Sequence, residues 1–385
     1  MALLVDKYLN VEHFNTTETA TKLREIYKGN FPVKKMENWR YSEPAIIANF
    51  NIEEKKYINN SDFMSFISKD FYKAGIELNN IDNLNLENTH KSLNTGNDNI
   101  FHEYNLVSSV NNYSLTLPKN SSNSRVLLDM KENDSVVEIT VPDHSENSIS
   151  FVVPSEREFL NISILLKVGK EAKLSFTFDG MQKENCANFM NLVADLERES
   201  KLDLYLLNTG SKYSRNDVTI RFFGEGSEYN LNGLTFTENE NQAHNFVRVE
   251  HREKNCVGTQ LFKNILNDKA KISFDGLVHV FPGASKTDSS QMNANLMLSN
   301  DCRAYARPQL KIYNDDVSCT HGSNNGQLSQ NELFYLKSRG MNDLLARSVL
   351  IRGFAGEILE NVTDDIIRKK YSNYIEEKVN SWQVK

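Results

Sequence analysis

Val168-Gly169-Lys170-Glu171-Ala172-Lys173-Leu174 has three degenerate copies further along the chain: Phe223-Gly224-Glu225-Gly226-Ser227-Glu228-Tyr229, Leu266-Asn267-Asp268-Lys269-Ala270-Lys271-Ile272 and Leu298-Ser299-Asn300-Asp301-Cys302-Arg303-Ala304. In each, an apolar residue precedes a turn former, two mostly polar residues, a small residue, a further polar residue and usually another apolar one. A coil that stacks on its neighbours needs this pattern. It must turn a corner on a residue that tolerates unusual backbone angles, and then place a small side chain in the stacked interior. The repeat therefore predicts a parallel β-helix, with irregular spacing between copies as expected of coils of variable length. An ordinary β-sandwich whose turns look alike is the competing reading.

Short β-rich runs surround the repeat from about Tyr104 to Tyr313, among them Ile162–Leu166, Leu204–Leu207, Val218–Phe223 and Leu277–Val280. Outside this region the period changes. Thr19–Tyr27 and Asp62–Ala74 carry apolar residues at three- and four-residue spacing and predict helices. The Asn-rich run Asn79–Asn99 predicts a linker or long loop, and Phe31–Tyr41 an extended aromatic segment. Toward the C-terminus, Ser329-Gln330-Asn331-Glu332 forms a capping box that opens a long amphipathic helix. A second helix spans Asn342–Glu360 and a third begins near Thr363. The domain reading is a helical region and linker over 1–105, a β-helix core over 106–325 and a helical region over 326–385. Helical flanks also suit a solenoid, whose open ends need covering.

Composition narrows the function. The 385 residues suffice for two or three units, and the net charge of −7 argues against a surface built for phosphate backbones, so nucleic acid is not expected. Met1–Lys7 has no basic stretch and its apolar run is broken by Asp6, unlike a signal peptide, and no apolar stretch approaches the roughly 20 residues of a membrane helix. A cytoplasmic, membrane-free setting is expected. Cys186, Cys256, Cys302 and Cys319 show no zinc or disulfide spacing, and the first three read as small buried hydrophobes.

Cys319 and His321 are the candidate metal ligands, because a thiol and an imidazole two residues apart on a strand share a face. Structural alternatives are a packing cysteine and a hydrogen-bonded interface histidine. Glu250 and His251 are adjacent in a strand and so point to opposite faces, one inward and one outward. His279 reads as a solenoid-facing histidine. Lys286, Thr287 and Asp288 follow a Pro-Gly turn, but the spacing of a phosphate loop is absent throughout the chain, and any ATP would be bound by a partner. Arg339 and Gly340 read as a turn between helices.

Six motifs occur in fixed order: Phe246–Arg252, Asp275–Val280, Pro282–Asp288, Ile312–Val317, Cys319-Thr320-His321-Gly322 and Leu333–Gly340. Together they resemble the SufB/SufD family of iron–sulfur cluster assembly proteins, and a SufD-type subunit within it. Pro32–Tyr41 is similar to the Pro…Glu-x-Trp-(Lys/Arg)-Tyr element near the family's start. A SufB-type chain carries Glu-His-Glu around the histidine matching His321, and Asn293 stands where such a chain has its core cysteine. The resemblance implies a right-handed parallel β-helix between helical ends. It further implies pairing with a SufB-type subunit and docking of a SufC-type ATPase on the C-terminal helices, for which Leu333, Phe334, Leu344, Leu345 and Phe354 are the candidate contacts. A homodimer is allowed where partners are absent. The implied role is a non-catalytic scaffold with no cofactor of its own and a transient iron–sulfur cluster in the complex. The alternative is a β-helix enzyme acting on polysaccharide, which would need carboxylates clustered on one face. A cut after Gln327 is expected to leave the β-rich core folded.

Overall fold

The computed structural model describes residues 39–42, 77–80, 101–102, 105, 111–127, 134–152, 159–181, 185–209 and 211–381. The helices expected at Thr19–Tyr27 and Asp62–Ala74 lie outside the described residues.

Sixteen strands, β2 (Asn111–Thr116) to β17 (Val317–Gly326), alternate between two sheets and build a parallel β-helix. One sheet runs β1 (Glu77–Asn80), β2, β4 (Asp134–Val141), β6 (Phe159–Val168), β8 (Ala187–Leu196), β10 (Tyr213–Phe222), β12 (Gln242–His251), β14 (Lys271–Val280) and β16 (Arg303–Ile312), the other β17, β15 (Thr287–Met297), β13 (Val257–Leu266), β11 (Glu228–Thr237), β9 (Lys201–Thr209), β7 (Lys173–Met181), β5 (Glu146–Val152) and β3 (Asn120–Leu127). Neighbouring coils pair in parallel, and coil length varies as the repeat predicts. The chain advances 26 residues from Ala187 to its partner Tyr213 and 32 from Lys271 to Arg303. The exception is β1 (Glu77–Asn80), which pairs antiparallel with β2 and turns the first residues of the expected linker, Asn79 and Asn80, into strand.

The repeat marks the corners. Its copies link β6 (Phe159–Val168) to β7 (Lys173–Met181), β10 (Tyr213–Phe222) to β11 (Glu228–Thr237), β13 (Val257–Leu266) to β14 (Lys271–Val280), and β15 (Thr287–Met297) to β16 (Arg303–Ile312). The small residues Ala172, Ser227, Ala270 and Cys302 are all buried at the inside of the bend, and Cys256 occupies the same place in another corner. The left-handed backbone falls elsewhere than expected, at Glu171, Gly226 and Asp268 rather than at the leading Gly or Asn. The leading glycines answer a different need. A Cβ on Gly224 would lie 2.0 Å from the backbone nitrogen of Arg198 in the coil below, and one on Gly169 would lie 2.8 Å from the Val141 carbonyl. Coils touch backbone to backbone here, and only glycine fits.

Between the sheets, Ile139, Ile164, Leu192, Val218, Val249, Phe176, Leu204 and Leu231 belong to one continuous apolar core. Outside, the two sheets are covered differently. On the outer face of the first, Arg215 is buried between the rings of Trp39 (4.1 Å) and Phe246 (3.9 Å), and its guanidinium grips Asp217 through two hydrogen bonds of 2.8 and 2.9 Å. Tyr41 stacks on Tyr305 of β16 at 5.0 Å, so the Trp39–Ser42 segment is clasped to the solenoid's side.

The second sheet's outer face carries three helices, α1 (Gln330–Ser338), α2 (Asp343–Leu359) and α3 (Asp365–Ser381). The first is shorter than its sequence suggests, because Gly340, with φ of 91°, stops it. Ser329 caps it by accepting from the Glu332 amide at 3.3 Å. Leu333, Ile351, Ile358, Tyr371 and Ile375 join Leu207, Leu234, Phe236, Ile265 and Leu296 of the sheet in a second core. Tyr371 donates to Asp179 (2.9 Å) or to the Leu207 carbonyl (2.7 Å), and Lys370 pairs with Asp179 at 2.6 Å. These helices are therefore part of the β-helix's covering, and a cut after Gln327 would expose Leu207, Leu234, Phe236 and Ile265 to water instead of leaving the core intact.

Replacing Gly224 with Ala forces two coils apart at a corner. The expected loss of stability is about 1–3 kcal/mol, as for overpacked interiors, read as a lowered midpoint in urea unfolding. Gly353→Ala, on an open helix surface where nothing lies within 4 Å of the added carbon, is the control and should not destabilise.

Candidate functional site

Cys319 and His321 lie on β17, the last strand of its sheet, paired on one side with β15 only. Cys319 stands opposite Ser289 and His321 opposite Gln291. Both side chains take the inward face of the coil, where Cys319 packs beside Val278, Val280, Ala284 and Leu310. They line the mouth of the solenoid's bore, which no further coil covers among the described residues, and His321 is exposed.

Beneath them, the second sheet's side of the bore is largely polar, facing apolar Phe274, Val278 and Val280 of β14. Gln291 donates to Gln260 (2.9 Å), which in turn donates to the Tyr229 hydroxyl (2.9 Å). Gln291 crosses the bore so fully that a Cβ on Gly276, in the opposite sheet, would lie 2.1 Å from its Nε2. Along the other side, Asn264 donates to Asn293 and Asn295, and Asn295 to Asn325. Asn293 is thus a buried member of an amide ladder. His251 faces inward, stacked on Phe222 at 4.6 Å, and burial lowers its pKa to about 3, so it stays neutral. Glu250 faces outward, gripped by Arg248 and Arg252, which is the division that strand alternation predicts.

One expectation changes. His279 lies on the outer face, stacked on Phe281 at 4.0 Å, because its strand pairs it with outward Glu250. Lys286 closes a corner, at φ of 59° and bound to Asp316, and Thr287 and Asp288 open β15, with Thr287 bonded to the Ala284 carbonyl.

Burial and the nearby Asp288 raise the Cys319 pKa above that of an ordinary thiol. Burial raises Cys186 to about 12 and Cys256 to about 11. A thiol is a poor metal ligand until it loses its proton, and an incoming cation supplies the charge that removes it. Among the described residues no group of three or more His, Cys, Asp and Glu side chains converges. Cys319 and His321 are at most part of a ligand set.

On the helices, the candidate contacts divide. Leu333 is buried in the second core, Leu344 and Phe354 pack partly against it, and Phe334 (74% exposed) and Leu345 (49%) project into solvent. Tyr335, Val349 and Ile366, one on each of the three helices and none of them among the candidate contacts, are exposed as well. Leu333 is therefore committed to the fold rather than offered to a partner. No helix among the described residues is long and apolar enough to cross a membrane.

Residues 113–354 match the family model described as SUF system FeS cluster assembly, SufBD core domain. The chain belongs to the SufB/SufD family. Within it, the chain is similar to the iron–sulfur cluster assembly protein SufD of Escherichia coli K12, 33% identical over 161 residues that cover 42% of this chain and 38% of that protein. It is also 30% identical over 250 residues to SufD of Bacillus subtilis, covering 63% and 56%. A SufBD family assembly protein of Synechocystis is 31% identical over 206 residues, covering 53% and 45%. The matched stretches span between 38% and 56% of these relatives' own lengths. The family match reaches from β2 into α2 and takes in Cys319 and His321.

Accessibility and pKa together predict the alkylation pattern of the folded chain. Iodoacetamide should label Cys319 and spare the buried Cys186, Cys256 and Cys302. A raised thiol pKa means less thiolate at any given pH, so labelling should be slow at neutrality and still be accelerating above the usual thiol range. Mass mapping across a pH series checks this, with Cys319→Ser as the blank.

Proposed function

We propose that this chain is the non-catalytic scaffold subunit of a Suf-type iron–sulfur cluster assembly complex in the cytoplasm. Its last coil pairs with a SufB-type subunit, its C-terminal helices hold a SufC-type ATPase that binds the ATP, and a transient cluster is built as cargo at the shared edge. The observation that supports this most directly is the unfinished final coil. Both β16 and β17 end their sheets with one edge unpaired among the described residues, and at that mouth an imidazole and a thiol face the same way. A strand edge supplies backbone hydrogen bonds to a partner strand, and the two side chains supply nitrogen and sulfur donors suited to iron. Because two ligands do not complete a shell, the remainder must come from across the interface. The isolated chain needs no resident cofactor, and two copies could meet at the same edge when the partners are absent.

The polysaccharide-enzyme alternative requires free carboxylates on one face. The outward acids of the first sheet are instead neutralised: Asp195 by Arg221 at 2.6 and 2.8 Å, Asp217 by Arg215, Glu250 by two arginines, and Asp275 by Arg307 at 2.9 Å. The Asp195 and Asp275 pairs cross-link neighbouring coils, the other two each lie within one coil, and none of these four acids is left free to donate a proton.

The test is reconstitution of the assembled complex with iron and sulfide, reading visible absorption and bound iron. His321→Ala, at an exposed position, should leave complex formation intact and lower cluster yield about tenfold, on the scale of losing a metal-site group. Cys319→Ser should have a smaller effect, since its thiol is the more reluctant ligand. Full cluster yield in His321→Ala would reduce this residue to structure. For the ATPase, Phe334→Asp with Leu345→Glu should abolish co-purification without changing the melting temperature. Retention of the ATPase would place its docking site elsewhere.

A further inference from the structure

An unbroken series of rings and cations runs across four successive coils, away from the bore and from the helices. Arg221 lies over Phe223 (5.5 Å), and Arg252 lies between Phe223 (5.1 Å) and Phe281 (5.7 Å). Phe281 stacks on His279 (4.0 Å), His279 packs on Tyr313 (5.6 Å), and Lys311 lies over Tyr313 (5.4 Å). Each member stands on the outer face or just past the end of β10, β12 (Gln242–His251), β14 and β16. The row is a surface, not a buried cluster: Phe223 is 43% and Tyr313 55% exposed.

The row is also cationic, on a chain whose net charge is −7. Arg248 and Arg252 share the single carboxylate of Glu250, and Lys311 forms no ion pair among the described residues. His279 is held toward its neutral form by burial, with Lys311 and Arg248 reinforcing the shift. Its Nδ1 is buried and makes no hydrogen bond. Aromatic and cationic side chains set side by side and left in water exceed what fold stability asks of an outer corner, and surfaces of this composition are typical of interfaces.

We propose that the row formed by Phe223, Arg252, Phe281, Tyr313 and Lys311 is a docking surface for an acidic, aromatic-bearing polypeptide segment laid extended along the solenoid axis. Shape and charge select this occupant. The row lies on an outer corner and follows the stacking direction, whereas small ligands favour concave sites. Three steps between coils at about 4.8 Å match the reach of roughly four to five extended residues. A nucleic acid would meet the field of an acidic chain, while a short acidic segment needs only the local cations. Its carboxylates would meet Arg252 and Lys311, and its rings would stack on Phe223 and Tyr313. The row shares β16 with the proposed pairing edge but uses that strand's outer face, not its backbone edge, so it is testable on the full-length chain alone.

The probe is a fluorescein-labelled peptide of alternating Glu and Tyr, roughly eight residues long, followed by anisotropy against the full chain. Alternating Lys-Tyr and Glu-Ser peptides serve as comparisons. The Glu-Tyr peptide should bind, lose affinity as salt rises, and outcompete both others. Lys311→Ala with Tyr313→Ala, both exposed positions, should weaken it about tenfold, and Phe223→Ala less. Circular dichroism confirms that each variant is folded, and Lys201→Ala, on the other sheet, should leave binding unchanged. Equal binding of the Lys-Tyr peptide, or unchanged affinity in the double variant, overturns the proposal. So does displacement of the peptide by a mononucleotide that binds more tightly, which would make this a small-anion site. Concentration-dependent dimerisation lost in the double variant would overturn it in favour of a second copy of the chain.

Discussion

Everything in this molecule depends on coils lying directly on one another at their corners. Parallel strands hold their register only if each bend repeats the path of the bend below, and a backbone that must touch another backbone tolerates no side chain between them. Gly224 against Arg198 and Gly169 against Val141 are such contacts. The small residue inside each bend and the left-handed residue beside it satisfy the same demand from the other side. Once the corners stack, the strands extend outward from them, and rows of like position form along both faces without further instruction.

Those rows give the structure its chemistry. On the outer face of the first sheet they bring Glu138 to Lys167 and Asp195 to Arg221, pairs separated in sequence by a full coil. The exposed pair of Glu138 and Lys167 contributes little by itself, but Arg215 with Asp217 is buried, and removing one partner there would strip a buried charge of its bidentate counter-ion. Inside, the rows of the second sheet turn from apolar to amide as the solenoid nears its end, while those of the first end in Val278, Val280 and Leu310. Cys319 and His321 finish two of those polar rows, which is why they meet at the mouth.

The corners were legible in the sequence because their demands are steric and local: Ala172, Ser227, Ala270 and Cys302 announce themselves by size. The first C-terminal helix was legible through its cap at Ser329, whereas the cap that Asn342 gives the second shows only in the structure. The polar side of the bore was not legible either. In β15 the residues that face inward are Ser289, Gln291, Asn293 and Asn295, while Met292 and Leu296 face out, Met292 to solvent and Leu296 to the helices. Period-two alternation says that two faces differ and is silent on which is inside. The same ambiguity put His279 on the wrong side. Strand pairing settles it, and pairing is a long-range property. That Cys319 and His321 share a face followed from their spacing, but that the face is the bore's open end required the strand order, in which β17 is last among the described strands. Likewise Leu333 and Phe334 are neighbours of similar character, and only the docking of α1 separates the core residue from the exposed one.

The amide lining of the last coils also bears on how such a chain exists before it meets another. An apolar solenoid cut open at one end would present a greasy cross-section and invite stacking of any coil upon any other. Here only half of the cross-section is of that kind: β16 ends it in Ala304, Ala306, Leu310 and Ile312, while β17 ends it in His321, Ser323 and Asn325, groups that water solvates as well as a partner does. The wettable half keeps the exposed apolar strip narrow, so the chain can persist unpaired with less drive from that end toward aggregation. A partner that takes its place there must replace water group for group, which makes the match selective for geometry and leaves the union reversible.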